Sequence, residues 1–259
     1  MITIASFNCN GIRARLPVLE SWLEENRPDL LCLQETKVQD RDFPQAPLAE
    51  LGYQVYFRGQ KSYNGVALLS RRPLEGVVCD FPGDGEGAEA RVIAGRLGDL
   101  WVLNTYVPQG RDPNDPAFQY KLRFLERVRR WLEEEFSPEG LLLWTGDLNV
   151  APGPLDVFDP QRLEGQVGFH PQEREALARM MDWGLVDLFR LHHPDQKQFT
   201  FWDYRLPKSF ARNLGWRIDH MLATRPLAEL CRDCWVDDRP RGEPKPSDHT
   251  FLLARFDLG

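Results

Sequence analysis

Residues 141–149 read Leu-Leu-Leu-Trp-Thr-Gly-Asp-Leu-Asn, an apolar run that ends in a carboxylate and an amide. Continuous hydrophobic residues over this length are typical of a strand that is buried on both faces. Asp147 and Asn149 then stand at the end of that strand, where a rigid backbone can hold both side chains toward a substrate. The stretch predicts an α/β fold that carries its chemistry at the ends of its strands.

The same arrangement recurs along the chain. Polar side chains also flank five other apolar segments, and they are Asn8, Asn10, Glu35, Tyr106, Asp219, Asp248 and His249. Ligand sites in α/β proteins gather at one set of strand ends, so we expect these residues to converge on a single pocket. Asp and Asn also favour ordinary turns, and that alternative holds better for each motif alone than for all six together.

The hydrophobic periodicity predicts eleven strands and three helices. The strands are expected near 2–8, 30–35, 54–58, 65–70, 74–79, 91–96, 100–106, 141–147, 218–223, 232–236 and 250–256. Apolar residues at helical spacing predict helices over 16–25, 116–136 and 170–183. Strand pairs with short links, mixed with isolated helices, indicate two mixed sheets face to face with helices outside. The order is too irregular for a Rossmann unit or an eightfold barrel.

Composition limits the class of protein. The chain has 259 residues, of which 42% are hydrophobic and 27% charged, so it can bury a large core. Candidate linkers such as 82–87 are short loops, and we therefore expect one domain over 1–259. No leader pattern and no run of eighteen apolar residues is present. With an odd number of cysteines, five, these features predict a soluble cytoplasmic protein without a disulfide framework.

One cysteine pair has the spacing of a metal-binding motif. Cys231 and Cys234 form a C-x-x-C sequence, but no second pair is present that could complete a zinc site. The segment reads as a strand, in which positions three apart face opposite sides. We interpret the pair as structural.

The net charge of −7 excludes a protein coated in basic surface, but it does not exclude nucleic acid, because local charge decides binding. Between residues 196 and 217 six aromatic side chains alternate with cations and a single acid, Asp203. Cations for phosphates and flat rings for bases or sugars are typical of a nucleic-acid contact. The alternative is an aromatic core with a basic fringe. The cations are Lys197, Arg205, Lys208, Arg212 and Arg217.

The collected polar residues suit a hard cation and a phosphoester. Carboxylate and amide oxygens favour Mg²⁺ or Mn²⁺ over zinc, with Glu35 as the best ligand. Such a cation neutralises a phosphate while a base activates water. In one assignment Asp147 is that base and a protonated His249 donates to the phosphate, with Asn149 and Tyr106 as further partners. In the other, His249 is itself the base, supported by an acid.

Seven stretches resemble the exonuclease III family of abasic-site endonucleases, within the endonuclease/exonuclease/phosphatase superfamily. They are 6–14, 33–37, 63–67, 104–108, 146–149, 213–219 and 247–249. The resemblance covers nearly the whole chain and implies a four-layered α/β sandwich. It also implies Mg²⁺-dependent incision of double-stranded DNA 5′ to abasic sites, with 3′-to-5′ exonuclease activity and cleaning of blocked 3′ ends. We expect the enzyme to act as a monomer.

The resemblance also implies a role for each matching residue. The metal end would comprise Asn8, Glu35 and Asp248, with Asn10 beside them. The phosphate and water end would comprise Tyr106, Asp147, Asn149, Asp219, Asp248 and His249. Phe201, Trp216 and Ile218 would wall the pocket for the base-less sugar, while Arg111 and Arg212 would contact the DNA backbone or duplex. Segment 205–212 differs among relatives, which leaves the balance of endonuclease and exonuclease activity open.

Two rival functions compete with this interpretation. One is a phosphodiesterase or phosphatase of the same superfamily that acts on lipid or inositol phosphates, which the aromatic and basic loop disfavours. The other is a catalytically dead relative that binds RNA or protein. Such a protein should have lost its carboxylates, whereas this chain keeps Glu35, Asp147 and Asp219.

Overall fold

Short strands and helices alternate irregularly in the computed structural model, which describes residues 1–85 and 87–258. The strands are β1 (Ile2–Asn8), β2 (Leu30–Gln34), β3 (Gln54–Arg58), β4 (Val66–Ser70), β5 (Glu75–Cys79), β6 (Val92–Leu97), β7 (Leu100–Tyr106), β8 (Leu142–Asp147), β9 (Leu185–Asp187), β10 (Asp219–Thr224), β11 (Cys231–Asp237) and β12 (Phe251–Phe256). The helices are α1 (Ile12–Asn26), α2 (Gln45–Glu50), α3 (Pro116–Glu135), α4 (Pro160–Leu163), α5 (Pro171–Trp183), α6 (Leu188–His192) and α7 (Arg225–Glu229).

Two six-stranded sheets form the centre of the molecule. Their strand orders are β11-β12-β1-β2-β4-β3 and β5-β6-β7-β8-β10-β9. Each sheet has one parallel pair, β1 with β2 and β7 with β8. The other neighbouring strands pair antiparallel over the described residues. The sheets are therefore mixed and mainly antiparallel, as predicted.

The strands divide their side chains between three apolar layers because successive residues point to opposite faces of a sheet. Ile4 and Leu68 belong to the core between the two sheets. Their neighbours Ala5 and Leu69 pack on the outer face, toward α1 and α2. Trp144 of the second sheet packs toward α3 and α5 in the same way. The order helix, sheet, sheet, helix confirms the expected four-layered α/β sandwich.

The sequence patterns located the long elements and missed the short ones. All eleven predicted strands are present within a residue or two of their expected bounds, and the three predicted helices correspond to α1, α3 and α5. α1 begins at Ile12, four residues before its expected start. β9 was not predicted, because three residues are too few to show alternation. α2, α4, α6 and α7 have four to six residues each and show no helical period for the same reason.

The predicted facing of the cysteine pair was wrong. Cys231 and Cys234 are both buried and both belong to the core between the sheets, so they face the same side. The pairing register of β11 shifts between Cys231 and Asp233. This irregularity adds a residue to one strand and reverses the facing of the residues after it. Both thiols are free, and burial raises their pKa values, to about 11 for Cys231.

The two sheets share one apolar core over the described residues, and that shared core is the basis on which we propose a single domain over 1–259. Helix length and hydropathy give a separate result. Among the described residues, no helix combines the length and apolar character that a membrane crossing requires.

Candidate active site

Strand register brings the polar strand ends to one edge of the molecule. In the second sheet, Asp147 lies opposite both Tyr106 of β7 and Asp219 of β10. In the first sheet, Asn8 ends β1 beside Gln34, and Glu35 follows at once. The Asn8 side-chain amide donates to Glu35 Oε1 at 2.8 Å and to Asp147 Oδ2 at 2.9 Å. One buried amide thus joins the acids of the two sheets.

His249 lies between two carboxylates. Its Nδ1 is 2.8 Å from Asp219 Oδ2, and its Nε2 is 3.7 Å from Asp147 Oδ2. Burial opposes the charged imidazolium, but Asp219 and Asp147 outweigh it and raise the pKa of His249 to about 10. At neutral pH the ring is therefore a cation and a donor at both nitrogens.

At Asp147, in contrast to His249, burial and neighbouring acids outweigh the favourable charge and disfavour the ionised form. Burial raises the pKa of its carboxyl to about 7, because His249 only partly offsets the burial and the neighbouring acids Asp219 and Glu35. A carboxyl that titrates near neutrality can accept a proton and release it again at working pH. Near neutral pH, a carboxyl that can accept a proton thus lies 3.7 Å from a protonated imidazole.

Asn149 and Tyr106 complete the same end of the site. The Asn149 backbone N–H donates to Asp147 Oδ1 at 2.9 Å, and its side-chain amide donates to Val107 O at 3.0 Å. Its φ of 52° lies in the left-handed region, where Asn is tolerated better than most residues. Burial, Glu35 and Asp147 raise the pKa of Tyr106 well above its usual value, so the phenol stays a neutral donor.

Three groups could hold a metal ion. Ligand atoms of Glu35, Asp147 and His249 lie within 4.8 Å of one another. The two carboxylates are the hard oxygen donors that a divalent cation of the Mg²⁺ type prefers, so the residues fit such an ion. A protonated His249 has no lone pair to offer. Asp248 lies outside the group, where its Oδ1 accepts from the Asn10 amide at 2.8 Å.

The Glu35 carboxylate has a partner that sequence reasoning missed. Lys37 Nζ is 2.6 Å from Glu35 Oε2 and also donates to Asn10 Oδ1. Burial opposes ionisation of Glu35, but Lys37 and the Asn8 hydrogen bond lower its pKa, so the group is ionised as a metal ligand must be. Lys37 belongs to the Gln-Glu-Thr-Lys motif, but no role was predicted for it, because a strand-end lysine usually faces solvent.

An open cleft of about 780 Å³ leads to these residues. Phe201, Trp216 and Ile218 line it as expected, together with Phe158 and Leu163, which the sequence did not single out. Arg111 also lines the cleft, whereas Arg212 is exposed outside it. Asn8 and Asn10 are absent from the lining and act on it through Glu35, Asp147 and Asp248.

The apolar wall of the cleft, formed by Phe201, Trp216 and Ile218, is held in place by backbone hydrogen bonds. Phe201 and Trp216 exchange two N–H to C=O hydrogen bonds of 2.9 Å, and the Phe201 ring lies 4.8 Å from the ring of His249. Gly168, with φ of 89°, approaches the Trp216 indole so closely that an added Cβ would lie 3.2 Å from it. The wall and the His249 imidazole are therefore parts of one packed unit.

The aromatic and basic segment 196–217 lies partly in the protein core. Arg217 was grouped with the phosphate-binding cations, and this was wrong: it is fully buried, where it pairs with Asp156 and Asp187. Extended chain just before β10 explains the reversal, since Trp216 and Ile218 line the cleft and the residue between them points inward. Phe199 and Trp202 are buried as well, so the alternative of an aromatic core holds for them.

Comparison with known proteins places these features in a family. A model described as Endonuclease/Exonuclease/phosphatase family matches residues 5–249. Over 263 residues the chain is 39% identical to exodeoxyribonuclease III of Haemophilus influenzae, covering 97% of this chain and 98% of that protein. An AP endonuclease from Archaeoglobus fulgidus has a similar structure, with a TM-score of 0.96, 44% identity and 100% of each chain covered. So does a 3′ phosphatase from Neisseria bound to a product DNA hairpin, with a TM-score of 0.96, 34% identity and full coverage of both chains.

Proposed function

This chain belongs to the endonuclease/exonuclease/phosphatase family and is a DNA repair nuclease, and from that premise we propose that it hydrolyses the phosphodiester 5′ to abasic sites in duplex DNA. We also propose that it trims 3′ ends and removes blocking groups from them, with Mg²⁺ as its metal and Mn²⁺ as a substitute. The relatives named as exodeoxyribonuclease III, AP endonuclease and 3′ phosphatase support these activities.

One observation carries the proposal. A near-neutral carboxyl, Asp147, and a protonated imidazole, His249, lie 3.7 Å apart at the end of a cleft that has an apolar wall. The pair suits a phosphate that must meet a base and a donor together. The wall suits a sugar that has lost its base, because such a sugar leaves the duplex at a lower unstacking cost than a paired nucleotide.

In the proposed mechanism the residues divide the work. Asp147 takes a proton from water, and Asn149 holds that water or a phosphate oxygen in line. The water oxygen forms a bond to phosphorus as the bond to the 3′ oxygen breaks. The 3′ oxygen takes a proton from solvent and leaves as a hydroxyl, and the phosphate stays on the 5′ side of the abasic sugar. His249 and Tyr106 donate to phosphate oxygens. Glu35, with Asn8 bracing it, would hold the cation, which neutralises phosphate charge when bound.

The contacts of His249 favour this assignment over the one in which the imidazole is the base. A ring with a pKa of about 10 is already protonated at neutral pH and cannot accept a proton from water. Asp219, at 2.8 Å from Nδ1, keeps it so. Asp248 then supports the site through Asn10.

Two further proposals concern the state of the protein. We propose that it acts as a monomer, because every residue of the candidate site comes from one chain. We propose a cytoplasmic location, because its five cysteines are all free thiols, as is usual in a reducing compartment.

The deciding experiment uses a labelled duplex with one tetrahydrofuran abasic analogue, beside the same duplex left intact. With Mg²⁺ we expect one incision directly 5′ to the analogue, and little cleavage of the intact duplex beyond shortening from the 3′ end. An inositol phosphate serves as the competing substrate. No incision at the analogue, or faster hydrolysis of the inositol phosphate, would contradict the proposed function.

The Trp216→Ala variant tests the apolar wall. Because Trp216 closes the pocket for the base-less sugar, we expect the preference for abasic over intact duplex to fall, with affinity for intact duplex unchanged. Arg111→Ala is the control: its side chain is 78% exposed, so its loss should weaken binding to both duplexes and reduce the salt slope by about 1. The measurement is cleavage of both duplexes across a salt series. An unchanged preference in Trp216→Ala would make the wall ordinary core.

The pKa values of the pair set a pH window. The Asp147 carboxyl has a raised pKa of about 7, so its basic form gains with pH through that value. His249 also has a raised pKa, about 10, so its acidic form is lost as pH rises through 10. Single-turnover rates should climb through pH 7 and decline through pH 10. In Asp219→Asn the alkaline decline should move to lower pH, because the carboxylate that raises the imidazole pKa is gone. A rate that stays flat through pH 7 would exclude Asp147 as the base.

A further inference from the structure

A lysine and a glutamate form an ion pair in the interior, behind the candidate active site. Lys121 of α3 and Glu173 of α5 have side chains that are both 0% exposed, and the ammonium donates to Glu173 Oε1. Burying two charges is costly, and a well-packed apolar pair of similar volume often stabilises a fold as well or better. The position of this pair therefore calls for an explanation other than stability.

Lys121 also donates to two main-chain carbonyl groups beside the proposed catalytic residues. Its Nζ donates to Asn149 O at 2.6 Å and to Gln109 O at 3.2 Å. Asn149 is the residue whose N–H binds Asp147, and it holds a left-handed φ of 52°. Gln109 opens the loop that carries Arg111, and both line the cleft.

Glu173 reaches the opposite side of the same cleft. Its Oε2 accepts from Gly168 N at 2.8 Å and from His170 N at 3.0 Å. Gly168 is the glycine that lies against the Trp216 indole. The four bonds beyond the ion pair thus go to backbone of three segments, and one residue of each segment lines the cleft: Gln109, Asn149 and Gly168.

We propose that Lys121 and Glu173 are positioning residues, which together fix the Asn149 backbone and the Gly168 loop so that the water-activating group and the sugar wall keep one relative placement. The inference rests on the proposed function for its substrate. Neither side chain touches substrate. Their effect is on the orientation of bound DNA at the reacting phosphate, and a misplacement of about 1 Å can cost about 100-fold in rate.

The test removes both charges at once. Lys121→Met/Glu173→Met leaves no orphaned charge, but it leaves the main-chain groups of Gln109, Asn149, Gly168 and His170 without these partners. We therefore expect a folded protein with a lower melting temperature than the wild type. Single-turnover cleavage of the abasic duplex should fall about 10- to 100-fold while the Kd for that duplex stays unchanged. Arg129→Met is the matched control, since Arg129 forms exposed ion pairs on the same helix. It should keep both the rate and the affinity.

The outcomes separate positioning from simple packing. A folded double variant that cleaves at the wild-type rate overturns the inference, as does a loss confined to affinity. Should the double variant fail to fold, Lys121→Met/Glu173→Gln carries the test. It removes both charges and the Lys121 bonds to Gln109 and Asn149 while keeping an acceptor for the Gly168 N–H, and a folded variant with the wild-type rate again overturns the inference.

A substrate-free readout keeps this inference distinct from the proposed function. Amide hydrogen exchange of segments 147–151 and 165–170 should be faster in the folded double variant than in Arg129→Met. If wild-type protein fails to cut the abasic duplex, the proposed function fails, while unchanged exchange in the double variant refutes the positioning role by itself.

Discussion

Asp147→Asn and His249→Ala should each slow single-turnover cleavage of an abasic duplex by roughly 10²–10⁴-fold while DNA binding stays nearly intact. The amide of Asn cannot accept the proton of the attacking water, and alanine cannot donate to a phosphate oxygen. The two groups lie 3.7 Å apart, and in the proposed mechanism both act on one phosphate. Their double variant should therefore lose far less than the product of the two single losses. Rapid-quench kinetics with saturating enzyme measures the chemical step.

Asp112→Asn is the matched control for the acid, because it makes the same change at an exposed residue of the same cleft. It should keep the wild-type rate. A near wild-type rate in either catalytic variant would remove that residue from the mechanism. A loss of affinity without a loss of rate would make it a binding residue.

The second large effect concerns the cation. Adding a chelator should abolish cleavage, and Glu35→Gln should raise the Mg²⁺ concentration needed for half-maximal rate. Mg²⁺ keeps several of its waters and binds weakly to one or two carboxylates, so loss of a single charge has a large effect on occupancy. The measurement is a Mg²⁺ titration at fixed DNA concentration, repeated with Mn²⁺.

Glu164→Gln provides the comparison for that titration, since it neutralises an acid that pairs with Arg174 at the surface. Its Mg²⁺ requirement should match that of the wild-type protein. Full cleavage in chelator by protein free of carried metal would rule out the metal mechanism. An unchanged requirement in Glu35→Gln would place the ion on other ligands.

Much of the site could be predicted because its residues end apolar strands. An apolar run such as 141–144 has one stable place, between two layers, and the polar residues after it must then emerge at a sheet edge. Asn8, Glu35, Asp147 and Asp219 all follow or begin such runs, and the register places them together. The layered fold could be predicted from the same apolar runs and their helical or strand periodicity.

The remainder depends on contacts between residues that sequence spacing does not relate. Lys121 lies on a helix among other charged residues, and nothing local distinguishes it from a solvated lysine until α5 brings Glu173 against it. Arg217 sits among cations and aromatic rings, yet its partners Asp156 and Asp187 lie 61 and 30 residues away. Whether a charged side chain is buried depends on a partner that is distant in sequence. The hydrophobic periodicity of a segment does not identify that partner.

The pairing of β1 with β12 bears on synthesis of the protein in the cell. Asn8 and His249 belong to one candidate site although they lie at opposite ends of the sequence, and β1 and β12 beside them are neighbours in one sheet. A ribosome-bound chain that has not yet released residue 249 lacks one residue of the candidate site, however well its earlier strands have collapsed. Such long-range closure is slow relative to local folding. We therefore expect the candidate site to be complete only once β12 has paired with β1.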